Sequence, residues 1–140
     1  MKAGCAVAAA ALALATAAAS RAAEPALPVT HTNGVVAYVT GGIGEGDAKA
    51  IDVAAKHYPL ELEFVRKATP RDHYLAGVKV RIEDANQNIM LDVTSDGPFL
   101  LARLPDGAYT VSAQHGANVE RRHVNVAGNE RRRLVFEWAN

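Results

Sequence analysis

The sequence predicts a mainly β (α+β) protein, a β-sandwich of about six to seven strands preceded by a strand-helix-strand element. Two observations carry the sandwich. From Gly77 to Trp138 apolar and polar residues alternate with period two in short runs, separated by turn residues at spacings of roughly ten residues. Two of the short apolar runs are opened by Asp-Gly steps, Asp96-Gly97 and Asp106-Gly107. A third observation sets the N-terminal part aside: apolar residues at helical spacing between Ala48 and Tyr58 are flanked by two β-prone runs.

The chain opens with Lys2 and an uncharged run, Ala6 to Ala19, of Ala, Leu, Val and Thr. Ser20-Arg21-Ala22 satisfies the small-x-small cleavage rule, as does Ala17-Ala18-Ala19, so residues 1–22 are expected to be a cleaved signal peptide. A membrane anchor would need about 20 strongly apolar residues, and this run is shorter and dominated by alanine. Cys5, the single cysteine, lies inside this leader, which leaves the exported part without a thiol, a disulfide or a cysteine-ligated metal. An alanine-rich leader with a disulfide-free domain fits a bacterial periplasm. Cleavage removes Lys2 and Arg21 and no acidic residue, turning 15 basic and 15 acidic residues into an acidic excess of about two. Nucleic-acid binding thereby loses its electrostatic footprint. The remaining roughly 118 residues suit one domain with one core.

Residues 23–34, with Pro25, Pro28 and Asn33-Gly34, read as an extended lead-in, order beginning at Val35. The segment 35–75 then holds the strand-helix-strand element and a loop. Val35 to Val39 is β-prone, and the glycine-rich stretch from Thr40 to Gly46 breaks it. Asp47 is the expected N-cap of a helix over Ala48 to His57, with Ala48, Ile51, Ala55 and Tyr58 on one face. Pro59 stops it. Leu60, Leu62 and Phe64 alternate with Glu61 and Glu63, the pattern of a half-buried strand. A parallel crossover can join the two strands, whose pairing the alternation leaves open. Arg66 to Leu75, with Pro70 and mixed charge, reads as a surface loop.

The segment 76–140 carries the sandwich. Val78, Val80 and Ile82 face one way; Ala85 to Asn88 turns the chain; Ile89, Leu91 and Val93 form the next inward set. The run Phe99 to Arg103 and the run from Tyr109 to Ala113 read as a β-hairpin closed by Pro105 and Gly107, where proline presets φ and glycine accepts a positive φ. Gly116 to Asn118 turns again, Glu120 to Val126 is a weaker strand, and Leu134, Phe136 and Trp138 close the set.

The segment Asp96-Gly97-Pro98-Phe99, followed by Leu104-Pro105-Asp106-Gly107-Ala108-Tyr109-Thr110-Val111, resembles the signature of carboxypeptidase regulatory-like domains. Gly77-Val78-Lys79-Val80 and Leu134-Val135-Phe136 extend the likeness over about Ala76 to Trp138. The resemblance implies a transthyretin-like or Ig-like β-sandwich and an accessory, non-catalytic role. In the metallocarboxypeptidases that name the family, the zinc and its catalytic carboxylate belong to a separate, larger domain. More broadly the chain resembles small bacterial periplasmic proteins of undefined function, in which a Gly-Gly-x-Gly turn and an acidic-capped helix precede such a domain.

Candidate sites are few. Gly41-Gly42-x-Gly44-x-Gly46 before a helix suggests a phosphate cradle, but the helix starts with Gly46-Asp47-Ala48 where a P-loop needs Gly-Lys-Ser/Thr, and Glu45 and Asp47 place negative charge where the anion would sit. His115 and His123 flank the Gly116 turn and could approach each other; with His31, His57 and His73 they include no pair at i, i+4 spacing. Ser95 and Ser112 lie in no nucleophile elbow. Glu61 and Glu63 share a strand face, as paired carboxylates of glycoside hydrolysis would, although a polar strand face accounts for them. Arg121-Arg122 and Arg131-Arg132-Arg133 are the basic clusters. On adjacent strands Arg121, Arg122, Arg131, Arg132 and Arg133 would form one basic strip for a carboxylate-bearing polymer, anionic lipid headgroups or an acidic protein face; the alternative is a solubilising edge that blocks strand addition.

The expectation is therefore a non-catalytic periplasmic module, without cofactor or metal, that binds or positions an envelope protein or glycan, binds no nucleic acid and does not span the membrane after cleavage. The alternatives are a small metal-binding or hydrolytic protein using histidines and carboxylates, and a structural subunit of a secretion or adhesion assembly.

Overall fold

The computed structural model describes Gly4, residues 30–34 and residues 36–139. The expected signal peptide and the first part of the lead-in lie outside the described residues, apart from Gly4. Among the described residues there are ten strands and one helix: β1 (His31–Asn33), β2 (Val36–Gly41), α1 (Glu45–Ala55), β3 (Leu60–Arg66), β4 (His73–Tyr74), β5 (Lys79–Asp84), β6 (Ile89–Thr94), β7 (Phe99–Arg103), β8 (Gly107–His115), β9 (Asn118–Val126) and β10 (Arg132–Trp138). None of them is a helix long and apolar enough to cross a membrane.

The strands form two stacked sheets, so the mainly β sandwich is present. One sheet runs β1-β2-β7-β3-β10, with β4 added beside β3; the other runs β6-β5-β8-β9. Period two sends Leu60, Leu62 and Phe64 of β3, Leu100 and Ala102 of β7 and Phe136 and Trp138 of β10 inward. There they meet Val80 and Ile82 of β5, Leu91 of β6, Val111 and Ala113 of β8 and Val124 and Val126 of β9 in one core. Phe64, Phe136 and Trp138 pack ring against ring at centroid distances of 5.9–6.3 Å, so the terminal aromatics do close the core.

The strand number exceeds the expected six to seven because β2 and β3 of the strand-helix-strand segment join the sandwich and two short strands, β1 and β4, arise in segments read as irregular. Asn33 pairs with Val36 across a tight connection in which Gly34 takes φ 61, so the Asn-Gly step makes a hairpin and ordered chain begins before Val35. Within Arg66 to Leu75, His73 and Tyr74 pair with Arg66 and Val65 and extend the sheet beyond the end of β7.

The strand-helix-strand segment is part of the sandwich itself, since β2 and β3 complete one of its sheets. They are parallel but not neighbours: β7 lies between them, antiparallel to both. That placement also corrects the expected hairpin. β7 and β8 belong to different sheets, and the turn at Pro105 and Gly107 is an arch over the sandwich rim. The reason lies in burial on both faces of β7: Leu100, Leu101 and Ala102 are all fully buried, and a strand covered on both sides needs ladder partners on both edges, which β2 and β3 supply. Tyr109 fixes the arch by donating its hydroxyl to the Pro105 carbonyl at 2.6 Å. Burial raises the pKa of this phenol, keeping it a donor.

Two further expectations shift. The helix covers Glu45 to Ala55, starting after Gly44 at φ 86, and Asp47 lies in its first turn, where its carboxylate accepts the Gly42 N–H. The acidic first turn still complements the helix dipole. Ile89 is half-exposed rather than inward. The ladder pairs Ile82 with Leu91 and then Glu83 with Ile89, so Met90 is an extra residue that reverses the parity of the strand end.

The second arch, at Asp96-Gly97, is pinned to β2: the Asp96 N–H donates to Thr40 Oγ1, which donates to the Phe99 carbonyl, both at 3.0 Å. A Cβ on Gly97 would run into the backbone of Gly41. Gly97→Ala is therefore expected to destabilise the protein by about 2 kcal/mol through forced backbone displacement. Tyr109→Phe, which removes one hydrogen bond and no volume from the core, is expected to cost about 1 kcal/mol. Urea denaturation of both variants measures the two effects, with the slope unchanged for Tyr109→Phe.

Candidate functional site

The strand faces opposite the sandwich core decide where a site can form. Helix α1 packs on the outer side of β2 and β7 through Ile51 and Ala55, which meet Val39, Leu101 and Tyr58 in a second, smaller core. Arg103 of β7 holds the end of this packing: its guanidinium lies 5.0 Å from the Tyr58 ring centroid and donates to the His57 carbonyl at 2.9 Å. A cation there also suits the negative end of the helix. Beside the helix, the outer faces of β3 and β10 stay open, and the step between them is a groove of about 350 Å³.

Because Leu60, Leu62 and Phe64 point inward, Glu61 and Glu63 point outward onto the groove floor. Arg133 is the register partner of Glu61 across β10. Its guanidinium bonds the Glu63 carboxylate and has Nε 4.0 Å from Glu61. Glu63 is only 7% exposed, so this pairing is what permits a charge at that depth. Glu61 receives less. Among the described residues no donor hydrogen-bonds its carboxylate, and burial holds its pKa above the ordinary value, with the negative charges of Glu63 and Asp52 acting in the same direction against the pull of Arg133 and Arg131.

Asp52 and Ala48 of α1 form the opposite wall, while Tyr58 and Arg131 line the groove as well. Tyr74 and Phe99, tilted against each other at 5.9 Å, add an aromatic wall. The arrangement is a shallow trough of mixed charge with apolar sides on a rigid sheet, suited to recognition by charge and hydrogen bonding.

The five arginines of the expected basic strip do not come together. Arg121 and Arg122 lie on β9 and Arg132 and Arg133 on β10, which are edge strands of different sheets. Arg122 pairs with Glu120 at 3.5 Å and stacks 5.6 Å from the Phe136 ring centroid, Arg132 pairs with Glu130 at 2.9 Å, and Arg133 joins Glu63. Arg131, Arg132 and Arg133 are the members that line the acidic groove. The histidines also stay apart: in the β8–β9 hairpin His115 is opposite Asn118 and His123 opposite Thr110, five ladder positions away. His115 packs on Trp138, and His123 Nδ1 lies 3.1 Å from Thr110 Oγ1. Among the described residues no three His, Cys, Asp or Glu gather as metal ligands. Ser95 is a buried turn residue whose hydroxyl accepts the Val78 N–H at 3.1 Å.

Sequence reasoning found Glu61, Glu63, Arg131 and Arg133 individually and missed Asp52, Tyr58, Tyr74 and Phe99 as their neighbours. Period two indicated the floor; nothing local indicated which helix face or loop would stand beside it. Comparison with protein-family models and with curated proteins finds no match to this chain.

Two expectations follow from the charges. Arg133→Ala strands the buried Glu63 carboxylate and is expected to cost about 2 kcal/mol in chemical denaturation, with partial recovery in Arg133→Lys. Glu61 has a native pKa above its unfolded value, so the native state holds this proton more tightly and stability falls as pH rises from the ordinary carboxylate range through the raised value. Glu61→Gln is expected to flatten stability across that mildly acidic window, measured as denaturation midpoints in a pH series.

Proposed function

We propose that this chain is a non-catalytic module of the bacterial periplasm that binds or positions an envelope protein or glycan, built on the transthyretin-like plan of carboxypeptidase regulatory-like domains. The observation that carries this reading is the groove beside α1, where charged groups of both signs and aromatic rings are held on a sheet braced from behind by the sandwich core. Such a scaffold presents a fixed surface for recognition. The state of the paired carboxylates supports binding over acid-base work: Glu63 is committed to Arg133, and Glu61 and Glu63 share that one guanidinium in place of an open space for a reacting atom. The leader-like residues 1–22 support export. The turns at Asp96-Gly97 and Pro105 to Gly107, which serve here as arches between sheets, support the family likeness.

Chemical crosslinking in a periplasmic extract, followed by recovery of the protein, tests the reading. Joint substitution Arg131→Ser and Arg133→Ser is expected to lose the partners that the parent recovers, whereas Arg121→Ser with Arg122→Ser keeps them. Circular dichroism confirms that both variants fold. Equal recovery by parent and both variants would contradict the groove as the contact surface.

A further inference from the structure

We propose that the hollow between the end of α1, the end of β7 and the β9–β10 connection binds a small phosphate monoester. The site stands on cations without a carboxylate of their own and goes beyond the role given to the groove. Lys56 closes α1, Arg103 ends β7 and Arg131 immediately precedes β10, so three separate segments bring their charges to one hollow of about 240 Å³. Lys49, Lys67, Arg81, Arg122, Arg132 and Arg133 each have a carboxylate within 4 Å. Lys56, Arg103 and Arg131 have none among the described residues; Arg131 acts on Glu61 from a longer distance. Glu130 is the single carboxylate in the lining, and Arg132 holds it at 2.9 Å.

The cations are placed before a ligand arrives. Arg103 lies against the Tyr58 ring and donates to the His57 carbonyl, and the other donors of its fork have no partner among the described residues. The β9–β10 connection is turned by the Glu130 N–H on the Ala127 carbonyl at 3.0 Å. The Arg132 N–H, donating to the Pro59 carbonyl at 2.8 Å, anchors it beside the helix, so Arg131 is carried on fixed backbone. The carbonyls at the helix end are themselves taken, Ala54 and Ala55 by the N–H groups of His57 and Tyr58 and His57 by Arg103. This tempers the negative end of the helix toward an anion.

Cations from three segments select the ligand. A carboxylate brings one charge and two oxygens in a plane, whereas a phosphate monoester brings a charge of about −1.5 to −2 and three strong acceptor oxygens. Arginine forks take phosphate through paired N–H bonds, and lysine adds a mobile point charge. The hollow is small beside the sites of drug-sized ligands, which limits the occupant to the phosphoryl group and a few carbon atoms.

Titration of the ¹⁵N-labelled full chain at constant ionic strength, followed by amide chemical shifts, tests the proposal. The probes are glycerol 3-phosphate, glycerate as its carboxylate counterpart, and glycerol. Glycerol 3-phosphate is expected to shift the amides of His57, Tyr58, Arg103, Leu104, Gly128 and Arg131, glycerate to bind about tenfold more weakly, and glycerol to shift none of them. Lys56→Gln and, separately, Arg131→Ser are each expected to weaken the phosphate about fivefold with the rest of the spectrum in place. Lys79→Gln removes an equal charge from the other sheet and is expected to leave affinity unchanged. Equal binding of glycerate, absence of shifts at these amides, parent affinity in both hollow variants, or equal weakening by Lys79→Gln would overturn the proposal. Lys56→Gln leaves the groove charges in place, so partner recovery with this variant reads the groove while its phosphate titration reads the hollow, and the two proposals fail separately.

Discussion

The burial of β7 on both of its faces organises the rest of the molecule. Leu100 and Ala102 point into the sandwich, and Leu101 points under the helix, so neither side of the strand meets water. Its N–H and C=O groups must then be paired along both edges, and β2 and β3 do this. Once those places are filled, β8 has no room beside β7 and the chain has to cross to the other sheet. The arch at Pro105, the locking hydroxyl of Tyr109 and the separation of β2 from β3 follow from this single constraint.

The same constraint leaves the groove open. A helix is about 10 Å wide with its side chains, whereas neighbouring strands are spaced by about 4.8 Å, so one helix shields about two strands. Helix α1 is drawn over β2 and β7 because those strands carry Val39 and Leu101 on the outer face, where β3 carries glutamates and β10 carries Arg133. The polar half of the sheet therefore becomes a trough bounded by the helix. Within it the energetics are uneven: Glu63 is deep and answered by Arg133, while Glu61 is held above the ordinary carboxylate range first by burial, with Arg133 and Arg131 pulling its pKa down and Glu63 and Asp52 pushing it up.

The arginines illustrate how far a linear pattern reaches. Two clusters on two terminal strands invite a single strip, and they are indeed on neighbouring rims of the sandwich. The rims do touch, with Arg122 over the Phe136 ring and the Trp138 indole donating to the Asn118 carbonyl, but the strands belong to different sheets and share no ladder that would set their arginines side by side. Glu120 and Glu130 take up Arg122 and Arg132, and Arg133 is drawn to the face of β3 because a parallel register sets it beside Glu61. A group that reads as part of a basic surface thus becomes the counter-charge of an acidic one.

Period two and turn chemistry alone determined most of the strands, the inward residues of the sandwich and the outward direction of Glu61 and Glu63, because these depend on backbone geometry within a few residues. The short helix and its apolar face were legible for the same reason. Which strands share a sheet was decided only in three dimensions, since an apolar run such as Phe99 to Ala102 has the same local form in a hairpin as in a strand buried on both faces. The extra residue at Met90 reversed Ile89 through a mismatch with β5, a property of the pair and not of either strand. The groove, finally, joins Asp52, Glu61, Tyr74, Phe99 and Arg133 from five separate elements, and their meeting depends on sheet order and helix coverage that no local window contains.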